Sequence, residues 1–137
     1  MSFVRARRPL AASPISFTVY DENGNTQKIE FVAQYHRHEY THLADLQDAM
    51  VNRAREAEGK ASIVRDDGTV VPKWPYATDL EFIQDKMAGW RGMTESNGTP
   101  TPFCAEGVAE FVQDYPEAIV PLFDGFFQAH RQAREKN

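Results

Sequence analysis

His38, Glu39 and His42 are the residues whose types and spacing come closest to chemistry in this chain. On a helix the two imidazoles of an H-E-x-x-H run lie one turn apart and share a Zn²⁺, while the glutamate polarises a metal-bound water. That reading makes the chain a small zinc metallopeptidase, and it stands as the alternative function. The surroundings oppose it. The run opens its predicted helix directly after a strand ending near Tyr35-His36, so His38 belongs to the strand exit. Glu56, Glu58 and Asp66 are equally placed as a third ligand, and none stands out. The pattern also has two open positions and recurs by chance. The preferred reading is a solvated group of His and acids at a strand-to-helix junction, with no metal assigned. Cys104 and His130 offer a nucleophile and a base, but nothing in the sequence fixes their geometry. The eight glycines are scattered singly and build no phosphate loop. No catalytic residue and no cofactor are assigned.

Composition narrows the classes further. A chain of 137 residues suits one domain, and a net charge of −5 argues against a nucleic-acid partner, which needs a basic face. Arg5, Arg7 and Arg8 are a local exception, expected to be solvated in an N-terminal arm over 1–14. Cys104 is the single cysteine, which rules out an internal disulfide and suits a reducing compartment. No apolar run approaches the roughly eighteen residues that cross a bilayer, and residues 1–15 lack the apolar core of a signal peptide. No membrane partner is expected, and a cytoplasm is the expected setting.

The elements that must position these residues follow from periodicity. Ile15, Phe17 and Val19, then Ile29, Phe31, Ala33 and Tyr35, alternate with mostly polar neighbours, the signature of half-buried strands. Asn23-Gly24-Asn25 predicts a three-residue hairpin loop pairing Val19 with Ile29 and Phe17 with Phe31. Leu43, Leu46, Met50 and Ala54 mark one face of a helix ending near Gly59, with Asp45, Asp48, Asn52, Arg55 and Glu56 on its wet faces. Residues 59–76 read as an inserted loop or short hairpin. Thr78 and Glu81 have capping-box spacing, and Leu80, Ile83, Met87 and Trp90 suggest one helix running to Gly92. A short helix follows, with Val108, Phe111, Val112 and Tyr115 on one face. Pro116 suits the first position of the last helix, and Pro121 predicts a kink or a start near it. Arg131, Arg134 and Lys136 complement the dipole at that helix's C-terminal end. The fold class is α+β: an N-terminal antiparallel hairpin packed on about four helices.

The order Trp90-Arg91-Gly92, then Pro102-Phe103-Cys104-Ala105-Glu106, then Tyr115-Pro116, then a helix closing on basic residues and Lys136-Asn137, resembles the tail assembly chaperones of long-tailed bacteriophages. The ordered set spans about sixty residues, and with the N-terminal half the likeness covers most of the chain. Cys104 stands where the family often has a serine, a poorer N-cap, and residues 59–76 have no counterpart. The resemblance implies a non-enzymatic protein of the host cytoplasm that binds the tape-measure protein. It would hold that client soluble until tail-tube subunits assemble around it, then leave, and so be absent from the finished virion. It also implies the tail-tube protein as a second candidate partner, and a longer frameshifted form in many such phages. A minor structural tail protein is a further alternative. Trp90, Phe123, Phe126 and Phe127 are the candidate partner-binding residues, since aromatic helical faces suit the capture of another helix. Because a two-stranded sheet is marginal alone, strand pairing between subunits to form a homo-oligomer is also expected.

Overall fold

The computed structural model describes residues 2–135. It divides into two compact units, one built from residues up to Arg37 and from Thr78 onward, the other from residues 38–77.

In the first unit, strands β1 (Leu10–Tyr20) and β2 (Thr26–His36) form the expected antiparallel hairpin. β1 starts at Leu10, so residues 10–14, expected in the arm, are its first part, and Ala11 and Ser13 are buried. The register differs from the expected one. Val19 pairs with Gln27, Phe17 with Ile29 and Ile15 with Phe31. The connection takes five residues, because the Asp21 carboxylate accepts from the backbone N–H of Asn23 (2.8 Å) and Asn25 (2.9 Å), while Gly24 takes φ +79°. The difference is two residues, an even shift, so every side chain keeps its expected face. Ile15, Phe31, Ala33 and Tyr35 point inward and are buried.

The helix expected from Thr78 to Gly92 is two elements. Thr78 caps it as anticipated, its hydroxyl accepting from Glu81 N at 3.2 Å, but α2 (Asp79–Lys86) ends early. Met87–Arg91 then forms strand β3. It pairs antiparallel with β2, Trp90 opposite Ala33 and Gly89 opposite Gln34, completing a sheet of order β1-β2-β3. The spacing of Met87 and Trp90 fits a helix, but pairing with β2 satisfies the same backbone groups and continues the sheet, and this tertiary choice overrides local periodicity. The hairpin is therefore not the isolated two-stranded ribbon expected.

α3 (Ala105–Asp114) and α4 (Ile119–Glu135) cover the inner sheet face. A 3₁₀ turn over Pro116–Ala118 leads into α4. Pro121 sits in the first turn of α4, where a backbone N–H has no intrahelical partner, so proline costs nothing there. Tyr35, Phe82, Ile83, Val108, Leu122 and Phe126 are the largest fully buried side chains. Each such residue contributes about 1.5–3 kcal/mol by leaving water. Lys136 and Asn137, and the side chain of Arg134, lie outside the described residues.

In the second unit, α1 (Tyr40–Ala57) stops at Glu58, and Gly59 follows at φ +73°, the left-handed C′ residue expected. Residues 60–76 contain neither helix nor strand, so the short hairpin considered for them does not form. The polar face of α1, expected to be wet, instead holds this segment. The Arg65 guanidinium reaches Asp45 at 2.8 Å and Asp48 at 3.0 Å, and Ile63 N donates to Asn52 Oδ1 at 2.7 Å. Trp74 is buried beneath Arg53, whose guanidinium carbon lies 5.7 Å from the ring centroid.

Candidate functional site

The H-E-x-x-H run does not form the geometry that zinc chemistry needs. Glu39 is the N-cap of α1, with extended backbone at ψ 159°, so His38 precedes the helix and His42 lies in its first turn. The two imidazoles are therefore not carried one turn apart on a helix. Among the described residues no group of three His, Cys, Asp or Glu side chains is gathered where a metal ion could be held.

The aromatic candidates have turned inward. Phe126 is 0% exposed, Phe127 5% and Trp90 8%, and only Phe123 is half-exposed. The cause is α2. Phe82 stacks on Phe127 with planes 8° apart, packs on Phe123 at 4.6 Å and meets Phe126 edge-on at 5.3 Å. The wide stripe of the last helix is used to hold α2, and a partner would reach Phe126 or Phe127 only by opening the core.

An accessible site lies at the other end of the sheet. β3 ends opposite Val32, and Gly92, at φ +86°, turns the chain away, so residues 27–31 of β2 are paired on one side only. A free strand edge presents a row of unpaired N–H and C=O groups. Residues 93–101 fold back as a small hairpin, with Thr101 N bonded to Met93 O at 2.9 Å and Glu95 N to Thr99 O at 2.8 Å. The Trp90 indole N–H donates to Thr101 O at 2.9 Å and ties this rim down. α3 forms the facing wall. Its start is held by Cys104, whose Sγ accepts from Gly107 N at 3.2 Å, a weaker cap than a serine but a functioning one.

Between these walls is a groove of about 730 Å³. Its base is aromatic. Phe111 meets Phe31 edge-on at 5.5 Å, Trp90 at 6.1 Å, and Tyr115 in a tilted contact at 5.1 Å. Its rim is acidic. Glu30, Glu95, Glu110 and Asp114 line it against one ammonium, that of Lys28, which is itself paired to Glu30 at 2.8 Å with both side chains exposed. Glu110 and Asp114 are four residues apart on α3, a like-charge spacing unfavourable for the helix itself. Backbone edge, apolar base and carboxylate rim together suit a polypeptide segment.

A family model for phage tail assembly chaperones matches residues 1–137, the whole length. The chain belongs to the phage tail assembly chaperone family. No curated protein and no solved structure matches it. The residues that carried the resemblance now have places in this chaperone. Trp90, Gly92, Pro102 and Tyr115 line the groove, and Phe103 packs edge-on against Trp90 at 5.1 Å. The motif is therefore the scaffold of the groove. The rim residues Lys28, Glu95, Glu110 and Asp114 were missed in the sequence. Their only local signal was the Glu110–Asp114 repulsion on an otherwise amphipathic helix. No helix among the described residues is long and apolar enough to cross a membrane.

Proposed function

We propose that the chaperone acts without catalysis, in the host cytoplasm, by binding the tape-measure protein and keeping it soluble until tail-tube subunits assemble around it. Membership of the tail assembly chaperone family over the whole chain is the observation that carries this reading. The acidic, aromatic-based groove beside the open edge of β2 gives such a role a surface, because an extended segment gains main-chain hydrogen bonds there without a dedicated pocket. Phe123, half-exposed, remains a contact candidate among the aromatic residues first considered. Displacement by tube subunits requires modest affinity, which a shallow, open groove provides.

Co-expression with the tape-measure protein of the same phage tests the reading. The client is expected to stay soluble and co-purify, and purified virions are expected to lack the chaperone by mass spectrometry. An insoluble, unbound tape measure would remove the chaperone role for that client. The chaperone's retention in virions would favour a structural tail protein.

A further inference from the structure

We propose that, on its own, the chaperone self-associates by laying the N-terminal arm of one copy, residues 2–9, along the open edge of β2 in the groove of a second copy. This concerns the protein without a client and stands whichever client it serves.

The arm has the properties of an unpaired strand. Residues 2–9 are exposed and belong to no helix or strand, and Phe3 and Val4 are 88% and 81% exposed. Exposed aromatic and β-branched side chains on an extended segment favour strand pairing. In a strand Phe3, Arg5 and Arg7 share one face. That face matches the groove, where Phe31 and Phe111 form the base and Glu110 and Asp114 stand on the facing wall. Arg8, on the opposite face, suits Glu30. Three guanidinium groups therefore meet the carboxylate rim, which relieves the Glu110–Asp114 repulsion.

The arm's charges have no such partner at home. Among the described residues Arg5, Arg7 and Arg8 make no ion pair, and Arg8 stands near Arg37. Burial first, and then this neighbour, hold the Arg37 guanidinium below its usual value.

Geometry favours a second copy over the arm's own subunit. Leu10 pairs with His36, and Pro9 O accepts from Arg37 N at 3.0 Å, so the arm leaves at the end of β2 that β3 covers. The open stretch, residues 27–31, is at the hairpin end. Reaching even Phe31 would take residues 2–9 of its own subunit about 17 Å back along the sheet, out of the about 26 Å that those residues span. An arm from another copy enters without that detour. Reciprocal exchange of two arms closes a two-fold dimer.

The test is sedimentation and light scattering of the full chain across a wide concentration range, beside three variants. One carries Arg5→Glu and Arg7→Glu, one carries Glu110→Arg and Asp114→Arg, and the third combines both sets. The wild type is expected to form a dimer, each charge reversal to weaken dimerisation at least tenfold, and the combination to recover it. The single native thiol gives an independent readout, since Cys104 lines the groove and is exposed. Its alkylation is expected to slow as concentration rises in the wild type but not in the arm variant. The arm substitutions fall outside every helix and strand, so they keep the test decisive if the α3 variant misfolds. A monomeric wild type, or a dimer and a Cys104 rate indifferent to the arm variant, would overturn the proposal.

Discussion

The Tyr35 hydroxyl donates a 2.7 Å hydrogen bond to the Leu122 carbonyl, joining the middle strand to the last helix in the centre of the core. Leu122 lies in the first turn of α4, and its carbonyl would otherwise be offered only to the helix. Burial pushes the Tyr35 phenol well above its ordinary pKa, with Asp124 adding to the shift, so the hydroxyl stays a donor at any working pH. The approach this bond requires is possible because Gly125 has no side chain. A methyl group there would lie 2.5 Å from the Tyr35 oxygen and 2.9 Å from Ile15 Cδ1.

Gly125→Ala is therefore expected to destabilise the protein, although alanine is the better helix former. Overpacking of this kind costs about 1–3 kcal/mol, against the ~1 kcal/mol that alanine gains in helix propensity. Tyr35→Phe alone loses a hydrogen bond worth about 0.5–1.5 kcal/mol net. The double variant should lose less than the sum, because removing the hydroxyl makes room for the methyl. Denaturant unfolding of the three variants measures this, and strict additivity would show that the two residues do not share the space.

The stability of the first unit should fall below about pH 6.5 in a way that depends on His130. Burial pushes this imidazole below its ordinary pKa. Its Nδ1–H bond to the Phe126 carbonyl, at 2.8 Å, offsets part of the shift, and Arg37 and Lys86 deepen it. The folded state thus holds the neutral form, and the unfolded chain binds a proton first as pH drops. The contribution is complete above the unfolded pKa and is lost as pH falls through it toward the folded one. His130→Gln retains a donor and removes the titration. The difference in melting temperature between wild type and variant is expected to shrink from pH 7.5 to pH 5, and a constant difference would contradict the assignment.

His42→Ala should leave stability within about 0.5 kcal/mol of wild type, and chelators should leave the melting temperature unchanged. His42 is exposed in the first turn of α1, while His38 lies before the helix, so no shared coordination is lost by the substitution. A melting temperature that rises with zinc and falls back in His42→Ala would revive the metallopeptidase reading.

How far the fold could be read beforehand follows from where each decision is made. The inward set Ile15, Phe31 and Tyr35 depends only on period two, a local property, so it was legible even though the hairpin register was not. The register turns on which atoms the Asp21 carboxylate bonds, and the turn residues Asn23-Gly24-Asn25 do not carry that choice. Met87–Arg91 was misread because its apolar spacing suits either a helix or a strand, and the choice depends on Val32–Tyr35 more than fifty residues away. The wet face of α1 was legible as polar, but that Asp45 and Asp48 hold Arg65 is a tertiary fact. The groove was invisible for the same reason. It is assembled from β2, the loop after β3, and α3, and no single segment carries more than one wall. The family motif, by contrast, was legible, because Trp90, Phe103 and Tyr115 are conspicuous residue types at a fixed order.

Trp90 provides the sharpest check on that scaffold. Its ring is buried among Phe103 and Phe111, and its indole N–H is the link between β3 and the rim of the groove at Thr101. Trp90→Phe keeps an aromatic ring in the cluster but has no donor. The Thr101 carbonyl is then left to water, and the 93–101 hairpin keeps only bonds within itself: the cross-bonds from Thr101 N to Met93 O and from Glu95 N to Thr99 O, and the turn bonds from Gly98 N to Glu95 O and from Thr99 to the Asn97 side chain. Losing one tether from so short a segment should raise its local opening without unfolding the sheet, since local and global stabilities are separate quantities. Hydrogen exchange at Thr101 and Glu95 is expected to accelerate at least about tenfold, the equivalent of ~1.4 kcal/mol. The amides joining β1 to β2 should accelerate much less, by an amount set by the smaller ring's lost packing. Equal acceleration at both places would mean that Trp90 supports the core alone and that the rim is positioned by other contacts.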